Sequence, residues 1–147
     1  MKKIAVGLLA CWAVLQAGAA EPQWLTDLPR AEAKAKAEHK MVLMDFTGSD
    51  WCGWCIKFDK EVLDTPAFKA YADKNLVLVK LDFPHKKPQS AELKKANAAL
   101  GRKYGVDGYP TFVVLNSDGK EIGRQVGYTS GGPKPFIAKL DKFKAKS

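Results

Sequence analysis

Two cysteines, Cys52 and Cys55, stand three positions apart, and this spacing allows a small disulfide that can close and reopen. An aromatic residue, Trp51, precedes the first cysteine and a helical pattern follows the second, which indicates a junction between a strand and a helix. A cysteine in the first turn of a helix directs its sulfur toward unpaired backbone N–H groups and the positive end of the helix dipole, and both favour the thiolate. The pair therefore predicts a redox centre.

A zinc site and a purely structural disulfide are the alternatives for this pair. Zinc normally takes four Cys or His ligands at paired spacing. Here the third cysteine, Cys11, lies far upstream, and the two histidines, His39 and His85, are isolated in the sequence. Redox use is therefore favoured over both alternatives, and no metal or other cofactor is expected.

The first 20 residues have the order of a secretory signal peptide. Lys2 and Lys3 precede an apolar stretch over 4–15, and small residues occupy 17–20. The pattern predicts a signal peptide over 1–20, a single domain over 21–147, and export to the periplasm or cell envelope. A protein exported to an oxidising space with only this cysteine pair is unlike one that uses disulfides as a scaffold.

The apolar stretch is shorter than the roughly 20 residues that span a bilayer, so no stable membrane insertion is expected. The run ending at Cys11 resembles a lipoprotein cleavage site. It comes very early, however, and apolar residues continue beyond it, so lipid anchoring at Cys11 is disfavoured.

The chain is basic, with a formal net charge of +8, which becomes +6 without Lys2 and Lys3. The lysines are spread over predicted helix surfaces, and no basic stripe is interleaved with aromatic residues. This distribution favours a solvated surface over a nucleic-acid footprint. We expect a monomer that binds no nucleic acid.

Hydrophobic periodicity predicts an α/β domain. Residues 21–28 form an extended lead-in, and helices are predicted over 30–40, 56–63, 66–72, 90–104 and 135–143. Strands are predicted over 41–46, 76–81, 111–115 and 121–126, the last two joined by a turn at 116–119. The almost continuously apolar strands indicate a central mixed β-sheet flanked by helices on both faces.

Three separated motifs occur in a familiar order, namely Asp45-Phe46, Trp51-Cys52-Gly53-Trp54-Cys55 and the run over 105–111 that ends in Tyr109-Pro110-Thr111. Together they resemble the thioredoxin superfamily, and in particular the exported bacterial thioredoxin-like proteins of thiol:disulfide interchange. The likeness covers roughly 41–143. Two departures are one extra residue between Asp45 and Cys52, and Trp54 in place of the proline of ordinary thioredoxin.

The resemblance implies a thioredoxin-like fold and a role for each motif. It makes Cys52 the exposed nucleophile, Cys55 the buried resolving thiol, and Tyr109–Pro110 a cis peptide facing the disulfide. Gly127 matches the glycine that keeps one flank of the site open. The residues expected to contact substrate are Trp51, Gly53, Trp54, Tyr109, Pro110 and Gly127.

The aromatic residues also allow an interpretation from their own chemistry. Trp51, Trp54 and Tyr109 would form an apolar platform around the sulfurs, and Pro110 would leave the Tyr109 backbone free to pair with an extended substrate. Ordinary packing is the alternative. It is favoured for Trp51 and less so for Trp54, whose place between the cysteines predicts exposure.

Asp45, on a buried strand, allows two roles. A desolvated carboxylate has a raised pKa and could accept the proton of Cys55 during resolution of a mixed disulfide. Alternatively, it could cap or hydrogen-bond a neighbouring backbone group.

The direction of electron flow depends on the residues between the cysteines. A His there favours an oxidant and Gly-Pro a reductant, and Gly53-Trp54 is neither. With no cation inside the pair, we predict a reductant of protein disulfides, supplied with electrons by a donor such as a membrane thiol relay. A disulfide oxidase or isomerase of the same fold stays open, as does a non-catalytic module that holds a client or Cu(I).

Overall fold

The described residues, 21–146 of a computed structural model, contain a five-stranded mixed sheet. Its strands are β1 (Trp24–Leu25), β2 (Met41–Thr47), β3 (Leu76–Asp82), β4 (Thr111–Leu115) and β5 (Glu121–Val126). They lie in the order β1-β3-β2-β4-β5, with β1, β3 and β2 parallel and β4 antiparallel to both β2 and β5. The predicted mixed sheet is thus confirmed, whereas the predicted signal peptide lies outside the described residues.

The helices are α1 (Leu28–Glu38), α2 (Gly53–Phe58), α3 (Pro66–Asn75), α4 (Ala91–Lys103) and α5 (Pro133–Lys144). A π-helical segment, Asp59–Leu63, continues α2. Side-chain oxygens of Asp27, Thr65 and Ser90 accept backbone N–H groups and so begin α1, α3 and α4. Within residues 21–146, none of these helices is long and apolar enough to cross a membrane.

Two hydrophobic clusters cover the two faces of the sheet. One contains Met41 and Leu43 of β2 with side chains of α2, the π-helical segment, α3 and α5. The other contains Val42, Met44 and Phe46 of the same strand with side chains of α1 and, more peripherally, α4. Because side chains alternate along a strand, β2 is covered on both sides, as its continuous apolar run predicts.

Three local predictions were wrong or incomplete. The lead-in over 21–28 is not merely extended, since Trp24 and Leu25 pair in register with Leu78 and Val79 as an edge strand. α1 begins at Leu28 rather than residue 30 because Asp27 supplies its cap. α5 likewise begins at Pro133 rather than residue 135, since proline at the first helical position has no N–H to leave unpaired.

The prediction of a regular helix over 56–63 missed the π-helical segment. It begins at Asp59 and includes Val62 and Leu63, which are both buried. π-helical turns inside α-helices often occur at functional sites. Here the segment directly follows the helix that carries the cysteines.

Candidate active site

Cys52 and Cys55 form a disulfide at the N-terminus of α2, with their Cα atoms 5.2 Å apart. Cys52 is the N-cap residue, and its Sγ accepts a hydrogen bond from the Cys55 backbone N–H at 3.2 Å. Cys52 retains 7% of its accessible surface and Cys55 only 1%. The two sulfurs are therefore unequal, since Cys52 has both the residual access and the N–H that would stabilise a thiolate.

Asp45 lies in β2 and is 1% exposed. By strand alternation its side chain lies on the same face as Met41 and Leu43, the face that α2 covers. Neither carboxylate oxygen accepts a hydrogen bond within residues 21–146, although Lys80 Nζ lies 3.4 Å from Oδ2. The alternative in which Asp45 caps a backbone group is therefore wrong.

Burial raises the pKa of Asp45 from 3.8 to about 7, although the Lys80 ammonium acts in the opposite direction. A carboxyl group with a pKa near neutrality can both accept and return a proton at physiological pH. Asp45 thus has a pKa that suits a general base, and its role toward Cys55 stays a prediction.

Two residues of this buried cluster escaped the sequence analysis. Lys80 Nζ lies between two carboxylates, 3.4 Å from Asp45 Oδ2 and 3.3 Å from Asp59 Oδ2. Burial alone would lower the pKa of Lys80, but the two carboxylates outweigh it and raise it. Burial also raises the pKa of Asp59.

A sequence signal for Lys80 exists. It interrupts the apolar run of β3, whose other charged residue, Asp82, stands at the strand end, and β3 pairs with β2 so that Lys80 and Asp45 are register partners. Residues opposite one another on adjacent strands project on the same face. Asp59 had no comparable signal, because it reaches Lys80 from the unpredicted π-helical segment.

Trp51 is attached to the loop that follows β3. Its indole N–H donates to the Phe83 carbonyl oxygen at 2.7 Å, and its ring stacks on His85 with centroids 4.4 Å apart. It also meets the edge of Tyr109, yet 40% of its surface stays exposed. Trp51 therefore packs against its neighbours and also presents an exposed surface, so both interpretations of this residue apply in part. His85, which is isolated in the sequence, contacts Trp51 in the fold.

The segment that contains the extra residue before Cys52 is held by hydrogen bonds of Ser49 and Asp50. We call this set of hydrogen bonds the latch. Ser49 donates its backbone N–H and its hydroxyl to the Asp82 carboxylate. Asp50 accepts the backbone N–H groups of residues 85–87 at 2.9, 2.7 and 2.8 Å, which lowers its pKa to about 2. The latch ties the segment in front of the cysteines to the loop after β3.

The bond between Tyr109 and Pro110 is cis, as the resemblance implies. Tyr109 contacts Trp51 and also lines a groove with Trp54, so this turn lies against aromatic residues on both sides of Cys52. The Gly127 N–H donates to the Pro110 carbonyl oxygen at 2.8 Å, with φ at +78°. A Cβ at Gly127 would meet no atom within 4 Å, so this flank is open.

Trp54 is 59% exposed, as its position predicts, and projects beside Gly53 at the start of α2. Its ring lies 5.2 Å from that of Tyr128, a residue that the sequence analysis missed. Tyr128 directly follows the glycine of the open flank, and an aromatic residue at that position is the signal that could have found it.

Comparison with known proteins agrees with this geometry. The model of the thioredoxin-like domain family matches residues 28–144, and the chain belongs to this family. Fold and site together define a thioredoxin-like protein with a disulfide-bonded cysteine pair at the N-terminus of α2.

The relatives are proteins of disulfide chemistry. The chain is 37% identical over 122 residues to the disulfide bond reductase DsbH of Chlamydia pneumoniae, covering 83% of this chain and 72% of the relative. A solved structure of DsbH oxidoreductase superposes with a TM-score of 0.79 at 34% identity, covering 87% and 88% of the two chains. The thiol:disulfide interchange protein DsbD of Vibrio cholerae is 32% identical over 118 residues, which are 79% of this chain but 18% of that protein.

Proposed function

We infer that the protein is a thiol:disulfide oxidoreductase, and we propose that it reduces disulfides in other proteins of the cell envelope. The main support for this proposal is the difference between the two cysteines in burial and in hydrogen bonding. Cys52 combines residual access with an N–H donor, whereas Cys55 is buried behind it. That arrangement suits a nucleophile and a resolving thiol.

The reaction begins with the reduced pair. The Cys52 thiolate attacks one sulfur of the client disulfide, forms a mixed disulfide and releases the other client sulfur as a thiolate, which takes up a proton. The Cys55 N–H that contacts Cys52 Sγ would stabilise the attacking charge before the bond forms.

The second step returns the pair to the disulfide. Cys55 loses its proton, attacks Cys52 Sγ and releases the second client sulfur, so that the client gains two electrons and two protons. Asp45 is the proposed acceptor of the Cys55 proton, because its buried carboxyl group has a pKa near 7. The two thiols lie on one helical turn, so the attack is intramolecular and therefore fast.

Three observations support the reducing direction. A relative that the chain matches over 72% of that protein's length is named a disulfide bond reductase. No cationic side chain stands between the cysteines in the sequence, and the ammonium groups of Lys57 and Lys80 make contacts elsewhere. Lys57 lies over the rings of Trp54 and Tyr128, and Lys80 lies between Asp45 and Asp59.

Export and electron supply belong to the same proposal. The signal-peptide pattern over 1–20 and the DsbD relative support a location in the periplasm or envelope. A reductant there needs a continuous source of electrons, and we propose a membrane thiol relay as the donor, with protein disulfides as clients.

Equilibration with glutathione followed by thiol trapping tests the direction. We expect a midpoint potential nearer −270 mV than −120 mV, roughly the values of a thioredoxin and of a strong oxidant. Trapping in intact cells should find the pair mainly reduced in the exported fraction. A potential above about −150 mV with a fully oxidised pair would make the protein a disulfide-forming enzyme instead.

Cysteine variants test the assignment of roles. Cys55→Ser should accumulate mixed disulfides with clients, because the resolving thiol is missing, whereas Cys52→Ser should trap few. Trapping by the wrong variant would reverse the roles. Absence of turnover with any disulfide, together with intact client or Cu(I) binding, would favour the non-catalytic module.

A further inference from the structure

The loop that follows β3 presents basic side chains beside Trp51, the residue that precedes Cys52. His85, Lys86 and Lys87 of this loop are all exposed. The His85 ring lies flat against the Trp51 indole, with planes inclined by only 5°, and Trp51 is itself 40% exposed. We call the three loop residues the basic loop. Together with the exposed part of Trp51, it forms one surface that borders Cys52.

The latch fixes the backbone of the basic loop and leaves its side chains outside. The Asp50 carboxylate accepts all three backbone N–H groups of residues 85–87. Pro84 and Pro88 flank the loop, and the ring of proline restricts the backbone further. A loop whose backbone is ordered in advance loses less conformational entropy when a partner binds. The basic loop is therefore preorganised for binding.

The lysines of the basic loop have charge to offer. Within residues 21–146 neither Lys86 nor Lys87 forms an ion pair, and the Lys87 ammonium contacts only the Ser49 hydroxyl, at 3.2 Å. The carboxylates of Asp50 and Asp82 accept hydrogen bonds from the chain itself. Asp50 still compensates part of the positive charge, because Lys87 contributes to lowering its pKa. The surface therefore favours an acidic partner to a moderate degree.

The redox state of the pair indicates which partner meets this surface. Cys52 and Cys55 are joined as a disulfide, so the surface is the one that the oxidised protein presents. Under the proposed function, the oxidised protein next reacts with its dithiol donor, whereas clients meet the reduced pair. Cys52 retains 7% of its accessible surface and Cys55 only 1%, so the donor reaches Cys52, the residue that the surface borders.

We propose that the basic loop and Trp51 form a docking surface for an acidic segment of the dithiol protein that reduces this chain. This inference rests on the proposed function. The donor thiolate attacks Cys52 Sγ, forms a mixed disulfide and releases Cys55 as a thiolate, which takes up a proton. The second donor thiol loses its proton and attacks the donor sulfur of that bond. Cys52 is released and protonated, the donor leaves as a disulfide, and this chain gains two electrons and two protons.

Two synthetic dithiol peptides serve as donors in the test. Each contains one reduced Cys-X-X-Cys motif, and they differ only in a following run of four Glu or four Gln residues. Timed alkylation gives the rate constant for reduction of the oxidised protein. It is divided by the rate constant of the same peptide with bis(2-hydroxyethyl) disulfide, a neutral compound, which removes intrinsic differences between the peptide thiols.

The wild-type protein should distinguish the peptides by charge. At about 10 mM salt the Glu peptide should react about fivefold faster than the Gln peptide after normalisation, because opposite charges steer association. At about 0.5 M salt the ratio should approach unity, since the screening length is then below about 8 Å.

Variants locate the preference at the basic loop. The double variant Lys86→Gln/Lys87→Gln should bring the low-salt ratio near unity. Lys86→Gln alone, which keeps the contact of Lys87 with Ser49, should leave a ratio of about twofold if the two charges contribute equally. The matched control, Lys36→Gln/Lys142→Gln, removes the same charge from exposed positions in the last turns of α1 and α5. It should keep most of the ratio.

The outcomes separate the two proposals. If both peptides reduce the small disulfide but neither reduces the oxidised protein, the proposed function is rejected. Equal normalised rates at low salt, a ratio that persists at high salt, or equal losses in the two double variants would overturn the docking inference alone. If Lys86→Gln/Lys87→Gln does not fold, Lys86→Gln and the salt dependence of the wild-type protein decide in its place.

Discussion

The two tryptophans beside the disulfide are held in different ways. Trp51 is fixed by a hydrogen bond to Phe83, by its stack on His85 and by the latch through Asp50. Trp54 has ring contacts with Tyr128 and Lys57 and a larger exposed fraction. Trp51 is thus anchored to the fold, whereas Trp54 faces solvent beside the groove. We call the two sides of the disulfide the anchored flank, with Trp51, and the open flank, with Trp54. Neighbouring aromatic residues in one motif can therefore serve positioning on one side and recognition on the other.

The largest effect on the reaction rate is expected at the buried residue Asp45 of β2. Asp45→Asn should slow resolution of the mixed disulfide about 10²-fold at pH 8, because a general base contributes at least that factor. In the wild-type protein the resolution rate should fall as pH decreases through about 7, and the variant should lose this dependence. Stopped-flow fluorescence of a preformed mixed disulfide measures the rate.

The same variant should be more stable at high pH. The folded pKa of Asp45 lies above its ordinary value of 3.8, so ionisation destabilises the fold increasingly between pH 4 and about 7 and fully above it. Urea unfolding of oxidised Asp45→Asn at pH 8 should show a gain of about 4 kcal/mol, which vanishes below pH 4. Asp118→Asn, in the exposed hairpin turn, is the control and should change neither quantity. A gain that is equal at both pH values would exclude the titration of Asp45 as its cause.

Next in size is a matched pair of glycine substitutions, one on each flank. A Cβ at Gly48 would lie against the Trp51 ring, whereas a Cβ at Gly53 would meet nothing within 4 Å. Gly48→Ala should therefore destabilise the protein by about 1–3 kcal/mol, the usual cost of overpacking. Gly53→Ala should be neutral or slightly stabilising. Urea unfolding measures both, and equal losses would mean that the Trp51 flank is no more rigid than the other.

Removing each indole sharpens the contrast. Trp51→Ala should cost about 1–2 kcal/mol of stability, since it loses a hydrogen bond and a ring stack. Trp54→Ala should change stability by less than about 0.5 kcal/mol, the usual range for exposed positions. Its effect should instead appear in kcat/KM for a peptide disulfide. A reversed order of the two stabilities would contradict the division between an anchored and an open flank.

The smallest effect concerns the latch. Asp50→Ala leaves three backbone N–H groups without their carboxylate partner, and we expect a lower thermal midpoint than wild type. Because the pKa of Asp50 is lowered to about 2, its contribution is present above its ordinary value of 3.8 and is lost as pH falls toward 2. Trp51 fluorescence during acid titration follows this loss. Lys86→Ala, which keeps the backbone donor, is the control.

Much of this architecture was predictable from local patterns. Met41, Leu43 and their apolar neighbours in β2 indicated a strand covered on both faces, and the helices predicted from 66 and from 90 begin within one residue of those positions. Cys52 and Cys55 were recognisable because their spacing has few other uses. These features depend on neighbours in sequence, where periodicity and capping carry the information.

The remainder depended on contacts between distant segments. The pairing of Trp24 with Leu78, the stack of His85 on Trp51 and the approach of Asp59 to Lys80 all join residues far apart in the chain. Two-residue strands and π-helical turns also have no reliable periodicity. The platform was predicted with Tyr109 but without Tyr128. The position of Tyr128 directly after Gly127 was a usable signal, but its contact with Trp54 forms only in the folded chain.

The rings of Trp54 and Tyr128 meet although they lie far apart in the sequence, and this has an evolutionary consequence. Trp54 lies between the cysteines, so a change there would alter redox potential and recognition together. Tyr128 lies on a separate segment after β5, outside the pair. Under the proposed function, substitution at that single position would let descendants of this protein change the surface beside Trp54 while the cysteine pair is inherited unaltered.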